Sequence, residues 1–535
     1  MFPPLLYPLV NEKRYQMKKI YIIFLSFTIA VSASAQIPED ALKYSWQPVN
    51  GSARIMAVGG AVGSLGGDIS ALFVNPAGLA FYRTSDIVIS PGYSYLKNNS
   101  QFRGTGASDK DSWFNLGPTG IVGGWSGPGK WTNSSLSFAV NRIANFRNKI
   151  YYKGQNDFSS QAEQYAAEAA NSGMSIDAML NSTAVSLATR MALQAYVIDT
   201  VTLGNNANPD FISMAMYDQL KNNGNFLVNQ EQTIETSGGI TEIALGYAAN
   251  MDDKFYMGLG LGIPIIKYKK ESSFREEDAT TNNDNNFNFN EVSETYNTKG
   301  FGVNLKLGVI VKPVEYLRLG LAIHTPTWYS LEDSYNGSML TDLDNYRTTP
   351  GALTTTLDDV LLDGEVPVYK YELTTPWRFM LSGSYVLREV ADITKQRGFL
   401  TADIEYVTYK SNRFRNGEEY DDGGYYDQVN EGVKNYYKGA FNFKVGGELK
   451  FTTFMGRLGF SYYGDPYKDS ELKGSKMFIS GGIGYRKSGM FIDLTYIYGI
   501  QKDVSFPYRL PDKANTFANV DGKGGNIMLT VGFKI

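Results

Sequence analysis

Apolar residues recur at every second position along most of this chain. In the stretch from Phe255, Phe255, Met257, Leu259, Leu261, Ile263 and Ile265 alternate with Gly258, Gly260 and Gly262. The stretch from Phe301 sets Val303, Leu305, Leu307 and Val309 against Gly302, Asn304, Lys306 and Gly308, and the one from Leu317 sets Leu319, Leu321 and Ile323 against Arg318, Gly320, Ala322 and His324. A period of two is the mark of a two-faced β-strand. Seven long polar connections, near residues 98–113, 154–230, 271–296, 332–369, 411–435, 464–475 and 502–522, alternate with six tight ones near 126, 250, 312, 388, 452 and 486. That arrangement predicts about 14 antiparallel strands closed into a transmembrane β-barrel, with long loops outside and short turns in the periplasm. Both chain ends then fall on the periplasmic side. A soluble β-sandwich is the competing all-β solution, but its strands tend to be shorter.

Two stretches break the period. Residues 51–80 read GSARIMAVGGAVGSLGGDISALFVNPAGLA, whose glycines permit tight turns and close backbone approach. Asp68 is placed to cap a helix from Ile69 to Phe73, Pro76 to end it, and Asn75 to close a local turn beside Ala77. This predicts a compact plug, and Asp68, Asn75, Pro76 and Ala77 are its candidate gating residues. The second stretch, from about Ser159 to Leu220, is Ala-rich with helical spacing and predicts two or three helices on the outer mouth. Its methionines, Met174, Met179, Met191, Met214 and Met216, suit either a greasy capture surface or a packed core.

Composition narrows the class. Tyr at 37, aromatics at 14% and charged residues at 19% of 535 residues suit an aromatic-rich membrane wall. A net charge of -4 argues against nucleic-acid binding. The absence of cysteine excludes disulfides and thiolate metal sites, and the single histidine excludes a His-rich metal centre, so neither metal nor cofactor is expected. Lys13, Arg14, Lys18 and Lys19 precede the apolar run 20–31, and Ala33-Ser34-Ala35 offers a cleavage site. Residues 1–35 thus read as a signal peptide, with 1–16 a candidate start-site artefact. The plug then spans 36–82 and the barrel 83–535, with a helical insertion at 155–229. No later segment is a continuous apolar 20-mer, so a membrane position requires a closed barrel.

The alternation points Lys306, Arg318, His324, Arg378, Asp403, Glu405, Lys444, Glu448, Lys450, Arg457, Arg486 and Asp493 into the lumen. As a set they read as ion pairs stiffening the bore. Arg318, His324 and Arg378 are also candidates to hold the carboxylate of an amphipathic ligand. No Gly-x-Ser-x-Gly elbow, Walker loop, dinucleotide fingerprint or zinc spacing is present, and no enzyme is expected.

The Gly-rich segment with Asp68 and NPAGLA, followed by LRLGLAIHTPTWYS from Leu317 and TPWRFMLSGSYVL from Thr375, resembles the FadL/TodX family of outer-membrane transporters along most of the chain. The resemblance implies an N-terminal hatch inside the barrel and passive uptake of hydrophobic or amphipathic molecules, such as fatty acids, aromatic compounds or hemin. It further implies residence among the lipids of a Gram-negative outer membrane. The last strand, Asn526 to Ile535, resembles the signal read by the barrel assembly machinery. PorV-type barrels share the NPA plug, and that likeness implies the alternative of a secretion-associated scaffold binding partner proteins.

Overall fold

Fourteen antiparallel strands close on themselves in a computed structural model of the chain. It describes residues 38–535 apart from 128, 204–209, 283, 345, 347–350, 363, 365, 367, 388–396, 419–423, 471, 473 and 511. The predicted signal peptide and the tight connection near 388 lie outside the described residues.

The strands are β1 (Asp86–Ile89, continuing as Pro91–Phe102), β2 (Thr105–Leu116, then Thr119–Ser126), β3 (Trp131–Asn145, then Asn148–Asn156), β4 (Val228–Met251), β5 (Phe255–Asp278), β6 (Phe289–Val314) and β7 (Leu317–His324, then Trp328–Asp342). They continue as β8 (Val368–Thr374, then Arg378–Leu387), β9 (Gly398–Val407, then Arg413–Asn416), β10 (Ala440–Phe451), β11 (Phe454–Tyr463), β12 (Lys476–Lys487), β13 (Met490–Ser505) and β14 (Ala518–Lys534). Strand β14 pairs with β13 on one side and β1 on the other, which closes the wall. Leu259, Leu305, Leu321, Leu381, Ile404 and Phe443 face outward and are exposed, whereas Lys306, Ala322, Ser382, Asp403 and Lys444 face inward and are buried. This is the inversion lipid requires, with apolar side chains outside and the backbone paired strand to strand around the wall.

The strands run further than hydropathy suggested. The connection expected near 98–113 is a two-residue turn at Arg103-Gly104, both residues left-handed, and the ladder continues to Phe102↔Thr105. Likewise β5 and β6 stay paired to Glu277↔Phe289, far above the apolar band. Both faces of these extensions are polar, so alternation fails as a signal while the hydrogen-bond ladder persists.

The helical insertion forms α4 (Glu163–Ser172), α5 (Ile176–Leu180), α6 (Leu187–Gln194) and α7 (Tyr217–Asn222), with a small hairpin of Ile198–Val201 and Asp210–Ser213. Its core packs Met179, Met191, Leu187 and Leu193 against Val292 of β6 and Met339 of β7. Met179, Met191 and Met214 are fully buried, so these methionines are packed core, while Met174 is half-buried at its edge.

Candidate ligand chamber and hatch

The chain enters its own barrel at the outer end. Helix α1 (Pro38–Ser45) packs Ala41, Leu42 and Tyr44 against Val429 and Val433 of α8 (Tyr425–Tyr436), which lies in the long β9–β10 connection. From there residues 46–82 descend the bore, and β1 starts beside β14, where Ser85 and Ile535 exchange backbone hydrogen bonds. The two ends of the barrel therefore meet at the end with the short turns, and the described N-terminus sits at the end with the long loops.

The hatch contains α2 (Ala53–Ala57), α3 (Ala71–Val74) and a 3-10 turn, Pro76–Phe81. The Asp68 carboxylate accepts from Ser70 N–H (2.9 Å) and the Ser52 hydroxyl (2.8 Å), and the helix begins at Ala71 rather than Ile69. Pro76 does not merely end this helix. It opens the 3-10 turn, whose cap is the Asn75 side chain accepting from Ala77 N–H (3.1 Å). Asn75 also donates to the Gly63 carbonyl at 2.6 Å, tying both halves of the hatch together.

The wall fits this backbone closely. A methyl at Gly308 would sit 1.8 Å from Asn75 Oδ1, at Gly258 2.3 Å from the Pro76 carbonyl carbon, and at Gly459 2.0 Å from Gly59 N. Wall side chains supply the partners that glycine-rich turns lack. Arg318 donates to the Leu65 carbonyl (2.8 Å), His324 Nε2 to the Val74 carbonyl (2.7 Å), and Arg378 to the Ser45 carbonyl. Asp403 accepts from the Val62 and Gly63 N–H groups at 3.1 and 3.0 Å. The three residues proposed as ligand cations thus converge on the hatch. The cavity beside His324 and Arg378 is about 80 Å³, well below the several hundred Å³ of a small-molecule site. The predicted lumen ion pairs are present, among them Arg457 with Glu448 (2.6 Å) and Lys444 with Glu405 (3.2 Å).

A larger chamber of about 870 Å³ lies above, with hatch residues Val49, Asn50, Met56 and Gly59 as its floor. Its walls include Trp46, Phe146, Tyr268, Tyr296, Tyr463 and Phe478. Lys43 pairs with Asp40 (2.6 Å) and lies 3.9 Å from the centre of the Tyr268 ring, while Lys476 lies 4.0 Å from that of Trp46. None of these residues stood out in the sequence. The inward phase of Tyr268 and Tyr296 was available as a signal, but it falls in the extension above the apolar band.

The chamber also reaches the wall where β2 and β3 part. Their ladder runs from Ser126↔Asn133 to Thr119↔Val140 and stops there. Above it, the outer half of β2 pairs only with β1, and that of β3 only with β4. Side chains span the seam, Arg147 with Asp111 at 2.7 Å and Lys149 with Asp109 at 3.3 Å. At its lower apex the Asn50 amide of the hatch donates to the carbonyls of Leu116 (3.1 Å) and Arg142 (2.8 Å), one on each parting strand.

A closed barrel with a hatch threaded from the outer mouth and a chamber above it defines a transmembrane β-barrel of the internally plugged class. Solved structures similar to this chain include a FadL homologue of Pseudomonas aeruginosa, with a TM-score of 0.52 and 13% identity over 91% of this chain and 99% of that one. They also include the toluene transporter TodX of P. putida (0.48, 12%, 91% and 99%) and the toluene transporter TbuX of Ralstonia pickettii (0.47, 10%, 92% and 100%). No protein-family model and no curated protein matches the chain. The fold is that of the FadL homologue.

Proposed function

We propose that this protein is an outer-membrane channel for passive uptake of hydrophobic or amphipathic small molecules, without catalysis. The observation that carries the reading is the aromatic chamber, closed below by the hatch and reaching a seam in the wall. Its volume falls in the range of small-ligand sites. Ligand taken in below the outer loops rests on the hatch, and hatch displacement at Asn75-Pro76-Ala77, with Asp68 holding the fold of the moving piece, opens the bore. In this reading Arg318, His324 and Arg378 fasten the hatch, while Lys43 and Lys476 meet the polar end of an amphipathic ligand. Strand β14, with Phe533 and Ile535 exposed at its end, is the segment offered to the assembly machinery.

The test is uptake of radiolabelled palmitate and toluene into liposomes holding the purified protein, against Trp46→Arg, which puts a cation in the chamber. The variant is expected to lose uptake while keeping heat-modifiable migration on gels. Equal uptake by both proteins, or none above empty liposomes, refutes the proposal.

A further inference from the structure

A row of cations crosses the outside of the barrel just above its apolar band. On β5 the outward side chains run Leu261, Ile263, Ile265 and then Lys267, and on β6 they run Val303, Phe301 and then Lys299. Ile265 and Phe301 are register partners, and so are Lys267 and Lys299 one step above. The change from apolar to charged thus falls at one level on both strands. On its other side Lys267 is paired with Gly239 of β4, which carries no side chain. The space there is approached from β3 by Arg142, whose Nε would lie 2.5 Å from the first side-chain atom of any residue at 239. Arg142 is the register partner of the outward Thr241 and donates to its hydroxyl at 3.1 Å.

The carboxylate nearest this row is Glu332 of β7, 2.8 Å from Lys299. No ion pair among the described residues joins Lys267 or Arg142 to an acid. Like charges directly opposite on neighbouring strands repel, and the repulsion grows at the margin of a low-dielectric layer. Arg142 and Lys267 flank a bare glycine, Lys299 faces Lys267 from the next strand with Glu332 beyond it, and the repulsion among them is relieved by an anion seated between. Arginine and lysine together suit phosphate, the first by its forked donors and the second as a point charge.

We propose that Arg142, Lys267 and Lys299 bind the phosphate of a phosphorylated glycolipid in the outer leaflet, whose acyl chains lie along Ile263, Ile265, Phe301 and Val303. Phosphates of the outer leaflet lie at this level, and basic clusters at a membrane surface recognise such headgroups by charge. The proposal depends on the barrel and its orientation and is independent of what the chamber carries.

The test is native mass spectrometry of the full-length protein in neutral detergent, titrated with diphosphoryl lipid A and with its phosphate-free form. The phosphorylated lipid is expected to bind the native protein about tenfold more tightly than the phosphate-free one, and the Lys267→Gln/Lys299→Gln protein to lose about that factor. Arg142→Gln should show a similar loss. Lys269→Gln serves as the control, because this outward lysine lies one step further from the apolar band and faces Asn297 rather than a second lysine, and it should bind as the native protein does. Heat-modifiable migration on gels checks that each variant is folded. Equal affinity of the double variant, equal binding of the phosphate-free lipid, or displacement by millimolar inorganic phosphate overturns the assignment.

Discussion

Gly308→Ala is the substitution that most directly asks whether the Asn75 turn keeps the bore shut. The added methyl would centre 1.8 Å from Asn75 Oδ1 and 3.0 Å from Pro76 Cδ. Gly308 is held in ladders with Gly258 and Ala322, so the wall resists movement and the hatch must give. Displacing the Asn75 amide breaks its 2.6 Å bond to the Gly63 carbonyl and removes the acceptor of Ala77 N–H. A buried polar group left without its partner costs roughly 1–3 kcal/mol, and overpacking a tight contact costs a similar amount. Taking about 3 kcal/mol for the sum, the ratio of seated to displaced hatch falls roughly a hundredfold. Single-channel recording in planar bilayers reads this ratio as the frequency of conducting events. Gly456→Ala is the matched control, because nothing lies within 4 Å of a methyl at that position. Gly308→Ala should open about two orders of magnitude more often than Gly456→Ala. Equal, rare opening by the two folded variants would show that this turn does not hold the hatch in place.

Asn50→Ala removes the amide that joins the Leu116 and Arg142 carbonyls at the apex of the β2–β3 seam, and two lost hydrogen bonds of roughly 1 kcal/mol each should speed amide exchange in residues 109–116 and 142–149 at least tenfold. Exchange at the native rate there would remove Asn50 from any role in holding the seam. A third prediction concerns the helical cap, where burial pushes the Glu276 carboxyl up from 4.5 to about 7 against the pull of the Ser160 hydroxyl, the Gln161 N–H and the Gln230 amide. The folded cap holds this proton more tightly than the unfolded chain does, so stability is highest below about pH 4.5 and falls as pH rises through 7, by ~3 kcal/mol in all. Limited proteolysis of the cap should therefore be slower at pH 5.5 than at pH 8, and Glu276→Gln should flatten the difference; a flat native profile contradicts the argument.

The barrel was readable because lipid imposes one rule on every strand, and the rule shows as alternation wherever one face is apolar. It stops being readable where that face becomes polar, which is why the paired extensions of β1–β2 and β5–β6 read as loops and the chamber walls at Tyr268 and Tyr296 do not stand out. Helix α1 and Trp46 were missed for a different reason. They are a short segment with no periodic partner nearby, and their packing against α8 joins parts of the chain nearly 400 residues apart. The glycines and the NPA turn mark the hatch in the sequence, but its seating is not legible there, because Leu65, Val74 and Ser45 are each held by a wall residue 250 or more positions away.

Those long-range bonds give the inward phase of Arg318, His324 and Arg378 its partner, the backbone of the hatch. A plug built of turns leaves carbonyl and N–H groups with no ladder of their own, and burial demands that each find a partner. A helix or sheet would satisfy them internally; here the wall must do so, with Arg318, His324 and Arg378 for the Leu65, Val74 and Ser45 carbonyls and Asp403 for the Val62 and Gly63 N–H groups. Arg318, His324, Arg378 and Asp403 thus serve the backbone of the hatch, while Arg457, Glu448 and Lys444 form ion pairs in the bore. In the proposed channel an amphipathic ligand meets its polar contacts higher, where Lys43 and Lys476 lie over aromatic rings at the edge of the chamber.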